Sequence, residues 1–399
     1  MGSQLMPEKN RQSTDWSLSA VVAGFVAVLV GFASSVAIVF QAASAFGADQ
    51  AVMASWIGVL GFAMGITCIG FSWYFKAPVL TAWSTPGAAL LASSLTDVTL
   101  PQAVGVFIFS AALTLLLGLS GWFDKVASRI PLPIAAAMLA GILLKFGLAI
   151  FSSMQTLPLL VLVMLVLFLL AKRFIPRYAV PLVLCGGLLF CLLSAQLDFS
   201  TVELRWVELV WITPSWSLPA LLGVGIPLFL VTMTSQNIPG LAVLRASGYQ
   251  VPVSPLLSWT GFITILTAPF GNFSINLAAI TAAICSGPEA HPDATKRYTA
   301  GIAAGVFYLL TGLAGATVVA LFAAFPEALV ATVAGVALLG TIAANLAIAS
   351  ADTPHRDAAM LTFLVTASGV SFFGIASAFW GLVVGVLTML LLNWRRGGL

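Results

Sequence analysis

The chain has 399 residues, of which 60% are hydrophobic and 7% charged, with a net charge of +3. A soluble domain carries about 25% charged residues, so water cannot cover this surface and lipid must cover much of it. No basic patch with interleaved aromatics is present, which argues against a nucleic-acid partner, and apolar stretches recur from end to end with no long polar stretch that would make a soluble domain.

Residues 1–17 form a polar tail. No small-residue cleavage site follows the first apolar segment, so that segment reads as a retained helix and not a secretory signal. A spanning helix takes about 20 apolar residues. Segments of that kind lie at 18–46, 52–75, 101–122, 131–151, 155–173, 179–196, 217–240, 297–324, 327–349, 358–374 and 376–393. Three more, 78–96, 253–268 and 270–286, are apolar but broken, which brings the predicted count to 14. The fold class is therefore an all-α integral membrane protein.

Basic residues test this count, because cytoplasmic loops collect Lys and Arg. With both termini inside, 14 of the 16 Lys and Arg fall on the cytoplasmic side; removing one broken segment scrambles the pattern. Arg205 falls outside, beside Asp198, Glu203 and Glu208, and Lys145 sits within the fifth segment, where it is expected to snorkel outward. Cys68, Cys185, Cys191 and Cys285 lie in or beside apolar segments without a CxxC spacing. They read as packing residues, not as disulfides or a metal site, and no cofactor is expected.

The outer loop at about 197–216 carries Trp206, Trp211 and Trp216, which suit a membrane interface. It divides the chain into two halves of seven segments. Ser55-Trp-Ile-Gly58 is echoed by Ser258-Trp-Thr-Gly261, and Ala77-Pro78 by Ala268-Pro269. An odd number of spans per half inverts the second copy, the inverted repeat common in secondary transporters.

The breaks in segments 3 and 10 point to a binding site. Around Trp83-Ser84-Thr85-Pro86-Gly87, Thr85 before Pro86 reads as the N-cap of a half-helix. In the tenth segment, Asn272, Ser274 and Asn276 read as caps of a second half-helix running to about Cys285. Two helix N-termini meeting near the midplane would offer backbone N–H groups and positive dipole ends to an anion; the alternative is a proline kink whose freed backbone groups are satisfied locally. Gln236 and Asn237, at the end of the eighth segment, are either substrate ligands or hydrogen-bonding glue between helices.

Gly61/Gly65, Gly301/Gly305 and Gly381/Gly385 read as helix-packing pairs. The Glu289–Asp293 run followed by Lys296-Arg297 reads as a solvated loop with local ion pairs, or else a gate latch or proton path. No Asp or Glu lies well inside a predicted span, and HExxH, GxSxG and Walker motifs are absent. Enzymatic hydrolysis and ATP-driven pumping therefore have no sequence support.

Gln236-Asn-Ile-Pro-Gly240, Gly271-Asn-Phe-Ser-Ile-Asn-Leu-Ala-Ala-Ile-Thr-Ala-Ala-Ile284 and Glu289-Ala-His-Pro-Asp293 resemble the bacterial benzoate–proton symporter family across essentially the whole chain. That family is similar in fold to uracil permease and the nucleobase and sulfate transporters. The resemblance implies a core domain at 18–122 and 217–324 (segments 1–4 and 8–11) and a gate domain at 123–196 and 325–394 (segments 5–7 and 12–14). A 197–216 extracytoplasmic linker would join the halves, the tail and residues 395–399 would be cytoplasmic, and a homodimer would form through the gate domain. Nucleobase permeases carry a glutamate on the eighth segment and often another on the tenth, at the positions of Gln236 and Ile275; their absence fits an anionic substrate and removes the obvious proton carrier.

The sequence thus predicts a secondary transporter of the bacterial inner membrane that imports benzoate or a similar aromatic carboxylate with a proton. Its nearer rivals are a transporter of another anion or a nucleobase, and then a passive solute channel. The carboxylate is expected between the N-termini at Thr85–Gly87 and Ser274–Asn276, with Gln236 and Asn237 donating and Trp83, Phe273 and Phe40 enclosing the ring.

Overall fold

The computed structural model describes residues 15–93, 98–123, 132–197, 205–351, 353–370, 372–373 and 377–393. The tail before Asp15, the last six residues and the loop charges Asp97, Lys125, Arg129, Asp198, Glu203 and Asp352 lie outside them, as does the side chain of Arg177.

The first half comprises α1 (Leu18–Ala45), α2 (Gln50–Phe75), a short strand β1 (Thr81–Trp83), α3 (Thr85–Ser93), α4 (Leu100–Ser120), α5 (Leu132–Ser152), α6 (Pro158–Phe174) and α7 (Ala179–Leu193). The second comprises α8 (Leu218–Arg245), α9 (Val253–Thr267), β2 (Ile275–Leu277), α10 (Ile280–Ser286), α11 (Tyr298–Leu313), α12 (Gly315–Ala323), α13 (Glu327–Ala351), α14 (Arg356–Ser368) and α15 (Ser377–Asn393). The helices are apolar on every face, as helices wrapped by protein and lipid must be. Leu116, Leu119, Leu148, Leu169 and Leu391 point outward and are exposed. Among the described residues, six helices are long and apolar enough to cross a bilayer alone, or eight when two bent pairs each count as one span.

Two local expectations need correction. The stretch 253–268 is an unbroken helix, because Pro255 falls in its first turn, where no intrahelical N–H is needed. The eighth segment continues past Gly240 to Arg245. Its prolines are absorbed by two π-turns, Leu221–Gly225 before Pro227 and Met233–Asn237 before Pro239. Each widens the helix where a proline ring would otherwise strike the carbonyl four residues back. In the loop before α11, Lys296 reaches Asp15 at 3.6 Å, at the start of the described chain.

Packing partners fall into two sets. In one, α2 packs on α11, α4 on α9, and α1 on α3, α10 and α11. In the other, α5 packs on α13 and α14, α14 on α15, and α6 and α7 on each other and on α13. Glycines let the backbones approach. A Cβ on Gly61 would lie 2.6 Å from Gly312 Cα, and one on Gly261 would lie 2.7 Å from Leu115 N. The glycine pairs on α2, α11 and α15 are therefore packing residues, with Gly381 and Gly385 set against Thr366 and Thr362 of α14.

The stretch 205–217 crosses one end of the bundle, the linker face. It has no regular structure and bonds through Val207 N–H to Leu313 O, Ile212 N–H to Pro269 O and Ser215 N–H to Pro101 O. Trp206, Trp211 and Trp216 remain exposed there, with Trp211 edge-on to Phe270 at 5.3 Å.

Candidate functional site

The centre of the bundle is held by a two-stranded antiparallel pairing in which Thr81 opposes Leu277, Ala82 opposes Asn276 and Trp83 opposes Ile275. Each strand is followed by a short helix, α3 after β1 and α10 after β2, and because the strands are antiparallel the two helices leave from opposite ends of the pairing. Strands this short need anchors. Thr67 and Thr81 hydroxyls are 2.6 Å apart, the Ile275 N–H donates to Thr264 Oγ1 at 3.3 Å, and the Leu277 N–H donates to Asn237 Oδ1 at 3.0 Å.

A cavity of about 690 Å³ opens beside this crossing, within the size range of small-molecule sites. Ala82, Trp83, Thr85 and Pro86 line it from the β1–α3 side, and Ala278, Ala279, Ile280 and Thr281 from the β2–α10 side. Ser235 and Gln236 project into it from the second π-turn of α8. Val30, Gly31 and Ser35 of α1, Tyr308 of α11, and Leu338 and Thr341 of α13 complete the walls. The lining extends to Pro176 and Pro181, at the start of α7 and away from the linker face. No Asp, Glu, Lys, Arg or His is among the described lining residues.

The half-helix at α3 begins where expected, but its cap is Ser84, one residue earlier than predicted. The Ser84 hydroxyl accepts the Gly87 N–H at 3.0 Å and the Ser84 carbonyl accepts the Ala88 N–H at 2.7 Å. Because Pro86 has no N–H, α3 can offer the cavity only the Thr85 N–H. The second half-helix is shorter than predicted. Residues 275–277 pair with β1 instead, so the first intrahelical bond of α10 runs from Ala283 N–H to Ala279 O at 3.0 Å. Asn272, Ser274 and Asn276 therefore do not cap it.

Trp83, Thr85, Pro86 and Gln236 thus line the cavity, and the other predicted site residues do not. Trp83 is fixed by its indole N–H donating to Ser35 Oγ at 2.8 Å and by an edge contact with Phe32 at 5.1 Å. Gln236 is half-buried and unbonded to the described protein. Ser84 and Gly87 lie behind the wall, where a Cβ on Gly87 would meet Leu228 at 2.8 Å. Asn237 is buried as the brace of β2, and Ile275 is buried in the strand itself. Asn276 is fully buried; with its amide oriented to satisfy both ends, its oxygen accepts the Ser84 N–H at 3.1 Å. Asn272 closes the turn after α9 by donating to Thr267 Oγ1 at 2.7 Å, and Ser274 lies 3.4 Å from the Thr232 hydroxyl. Phe273 packs with Trp56 and Phe107, and Phe40 stacks on Phe322 at 4.8 Å, so neither touches the cavity.

Sequence reasoning missed Ser35, Ser235, Thr281, Thr341 and Tyr308. Tyr308 did carry a signal, since it is the one tyrosine well inside a predicted segment.

Both half-helices meet a cation at their far ends. Lys145 Nζ of α5 donates to Ser93 O, the last residue of α3, at 3.0 Å, and an Arg297 Nη donates to Ser286 O, the last of α10, at 2.8 Å. Lys145 thus bonds a helix end instead of only reaching for water. Arg297 also donates from Nε to His291 O, folding the 289–293 loop around itself, and the Asp293 N–H donates to His291 Nδ1. Asp293 accepts from the Thr295 hydroxyl and N–H, which holds its carboxyl below the usual value.

Comparison with known proteins agrees along the chain's length. The family model described as benzoate membrane transport protein matches residues 14–391. An inner membrane protein of Escherichia coli K12, YdcO, is 47% identical over 94% of this chain and 95% of its own. A benzoate membrane transport protein of Acinetobacter baylyi is 42% identical over 95% of this chain and 96% of its own. In fold, the chain is similar to the transmembrane domain of a cyanobacterial bicarbonate transporter, BicA, with a TM-score of 0.53 and 15% identity over 94% of this chain and 97% of that one. It is also similar to SLC26A9, with a TM-score of 0.63 and 13% identity over 96% of this chain and 66% of that one. On the match of residues 14–391 and these two relatives, the chain belongs to the benzoate membrane transport protein family, whose members are membrane transporters and not enzymes.

Proposed function

We propose that the protein is a proton-coupled importer of benzoate or a similar aromatic carboxylate, and that the cavity at the β1–β2 crossing binds the substrate. The observation that carries this reading is the lining itself. Apolar walls from Val30, Trp83 and Leu338 surround hydrogen-bonding groups from Thr85, Gln236 and the start of α10, with no carboxylate to repel an anion. An aromatic carboxylate has that form, an apolar body with one polar end.

The 14-span inverted repeat and the core and gate domains belong to the same proposal. They are supported by the way partners pair: α2 with α11 and α9 with α4 exchange under the repeat, and α5 with α13 maps onto itself. In this reading the set holding α1–α4 and α8–α12 moves against the set holding α5–α7 and α13–α15, alternating access to the cavity. The N- and C-termini face the cytoplasm, and a dimer would form through the second set.

The test is uptake of labelled benzoate into proteoliposomes under an imposed pH gradient, with protein-free liposomes as control because protonated benzoic acid crosses lipid unaided. Saturable accumulation that collapses with the gradient is expected. Flux that neither saturates nor accumulates means a channel, and competition by an unrelated anion or a nucleobase, but not by other aromatic carboxylates, overturns the substrate class.

A further inference from the structure

Tyr308 of α11 is 2% exposed, yet it lines the cavity. Buried hydroxyls nearly always find a hydrogen-bond partner, and the Tyr308 Oη has none among the described residues. Gly31 of α1 keeps the space before it clear: a Cβ there would lie 3.4 Å from Tyr308 Oη and 3.0 Å from Thr281 Cγ2. Thr281, on the same wall, is 4% exposed and its Oγ1 is likewise unpartnered. The neighbouring Ser35 hydroxyl, by contrast, has its one proton committed, donating to Gly31 O at 2.7 Å while accepting from Trp83. The α1–α10–α11 corner of the cavity therefore holds two hydroxyls whose bonds the protein does not supply.

We infer that Tyr308 is a specificity-determining ligand of the transported anion, donating its phenolic O–H to a carboxylate oxygen, with the Thr281 hydroxyl turning about χ1 to donate to the same group. The inference rests on the aromatic-carboxylate reading of this cavity and adds the donors that recognise the charged end. A phenol is a donor that needs no positive charge, and hydrogen bonds to a carboxylate are roughly twice as strong as neutral ones. A ring held rigidly by burial places that donor without loss of rotamer freedom.

The test is Tyr308→Phe in the full-length purified protein, with Thr281→Val as a second variant. Binding of benzoate and of uncharged benzamide is measured by calorimetry, alongside the melting temperature without ligand. Tyr308→Phe should weaken benzoate about 10-fold or more, on the order of 1.4 kcal/mol, and weaken benzamide less. The unliganded melting temperature should not move, because no protein bond is lost; Thr281→Val should shift benzoate binding in the same direction. Equal benzoate affinity in the parent and Tyr308→Phe overturns the inference and leaves the substrate reading standing. Equal losses for benzoate and benzamide with a lower melting temperature assign Tyr308 to packing and also overturn it. A parent that binds no aromatic carboxylate removes the substrate reading and the inference together.

Discussion

Gln236 and Asn237 are neighbours in a π-turn and face opposite ways. Gln236 enters the cavity, while Asn237 Oδ1 accepts the Leu277 N–H. Their substitution should separate binding from stability. Asn237→Ala leaves a buried N–H unpaired, which costs about 1–3 kcal/mol, and should lower the melting temperature. Gln236→Ala should leave the melting temperature unchanged and weaken benzoate binding. If the two variants behave alike in both assays, this division is wrong. Asn276→Ala falls with Asn237, because its amide serves Ser84 and not the cavity. Sequence marks all three as polar groups costly to bury, and so locates the region. It cannot say which face a side chain takes where the helical period changes, as it does at Met233–Asn237.

At the level of elements, the breaks were legible because Pro86 and Pro269 cannot continue a helix. The half-helix at Thr85 was therefore found to within one residue. The start of α10 was not, because residues 275–277 are recruited by β1, almost 200 residues away in sequence, and no local propensity records that pairing. That Gly61 and Gly65 of α2 serve helix packing was legible from their spacing, but not that α11 is the partner. Gly61→Val would drive a side chain into Gly312. Overpacking of this kind costs about 1–3 kcal/mol, so a lower melting temperature and poorer recovery from the membrane are expected, measured against Gly70→Val, where a Cβ meets open space.

Across the whole molecule, hydropathy revealed a helical membrane protein, but helix length alone accounts for fewer spans than the basic residues imply. Helices as short as α3 and α10, nine and seven residues long, fall below the length that crosses a bilayer alone. One contact gathers distant parts of the chain. The Tyr298 O–H donates to Asp15 at 2.7 Å, Lys296 pairs with the same carboxylate, and the Lys76 ammonium lies 4.4 Å from the centre of the Tyr298 ring. The Tyr298 hydrogen bond, with Lys296 beside it, holds the Asp15 carboxyl below its usual 3.8. A depressed carboxylate stabilises above its unfolded pKa, and the contribution is lost as pH falls through the folded value. Asp15→Asn should therefore melt lower than the parent at pH 7, with the gap closing below about pH 3.8 in thermal scans. A gap that persists in acid assigns the effect to something other than the charge.

The bond from Lys145 to Ser93 O links the two packing sets, since α3 belongs to one and α5 to the other. At 3.0 Å the bond is well formed, and it is lost once the N···O distance passes about 3.5 Å. Sliding of α3 past α5 beyond the reach of the flexible Lys145 stem therefore frees an ammonium and a helix-end carbonyl together. Lys145 is thus a built-in displacement gauge. If the two sets move against each other as proposed, its reactivity toward an amine-selective label should rise in the presence of substrate and a pH gradient, and fall back when either is withdrawn. A labelling rate indifferent to both would mean that α3 and α5 travel as one body.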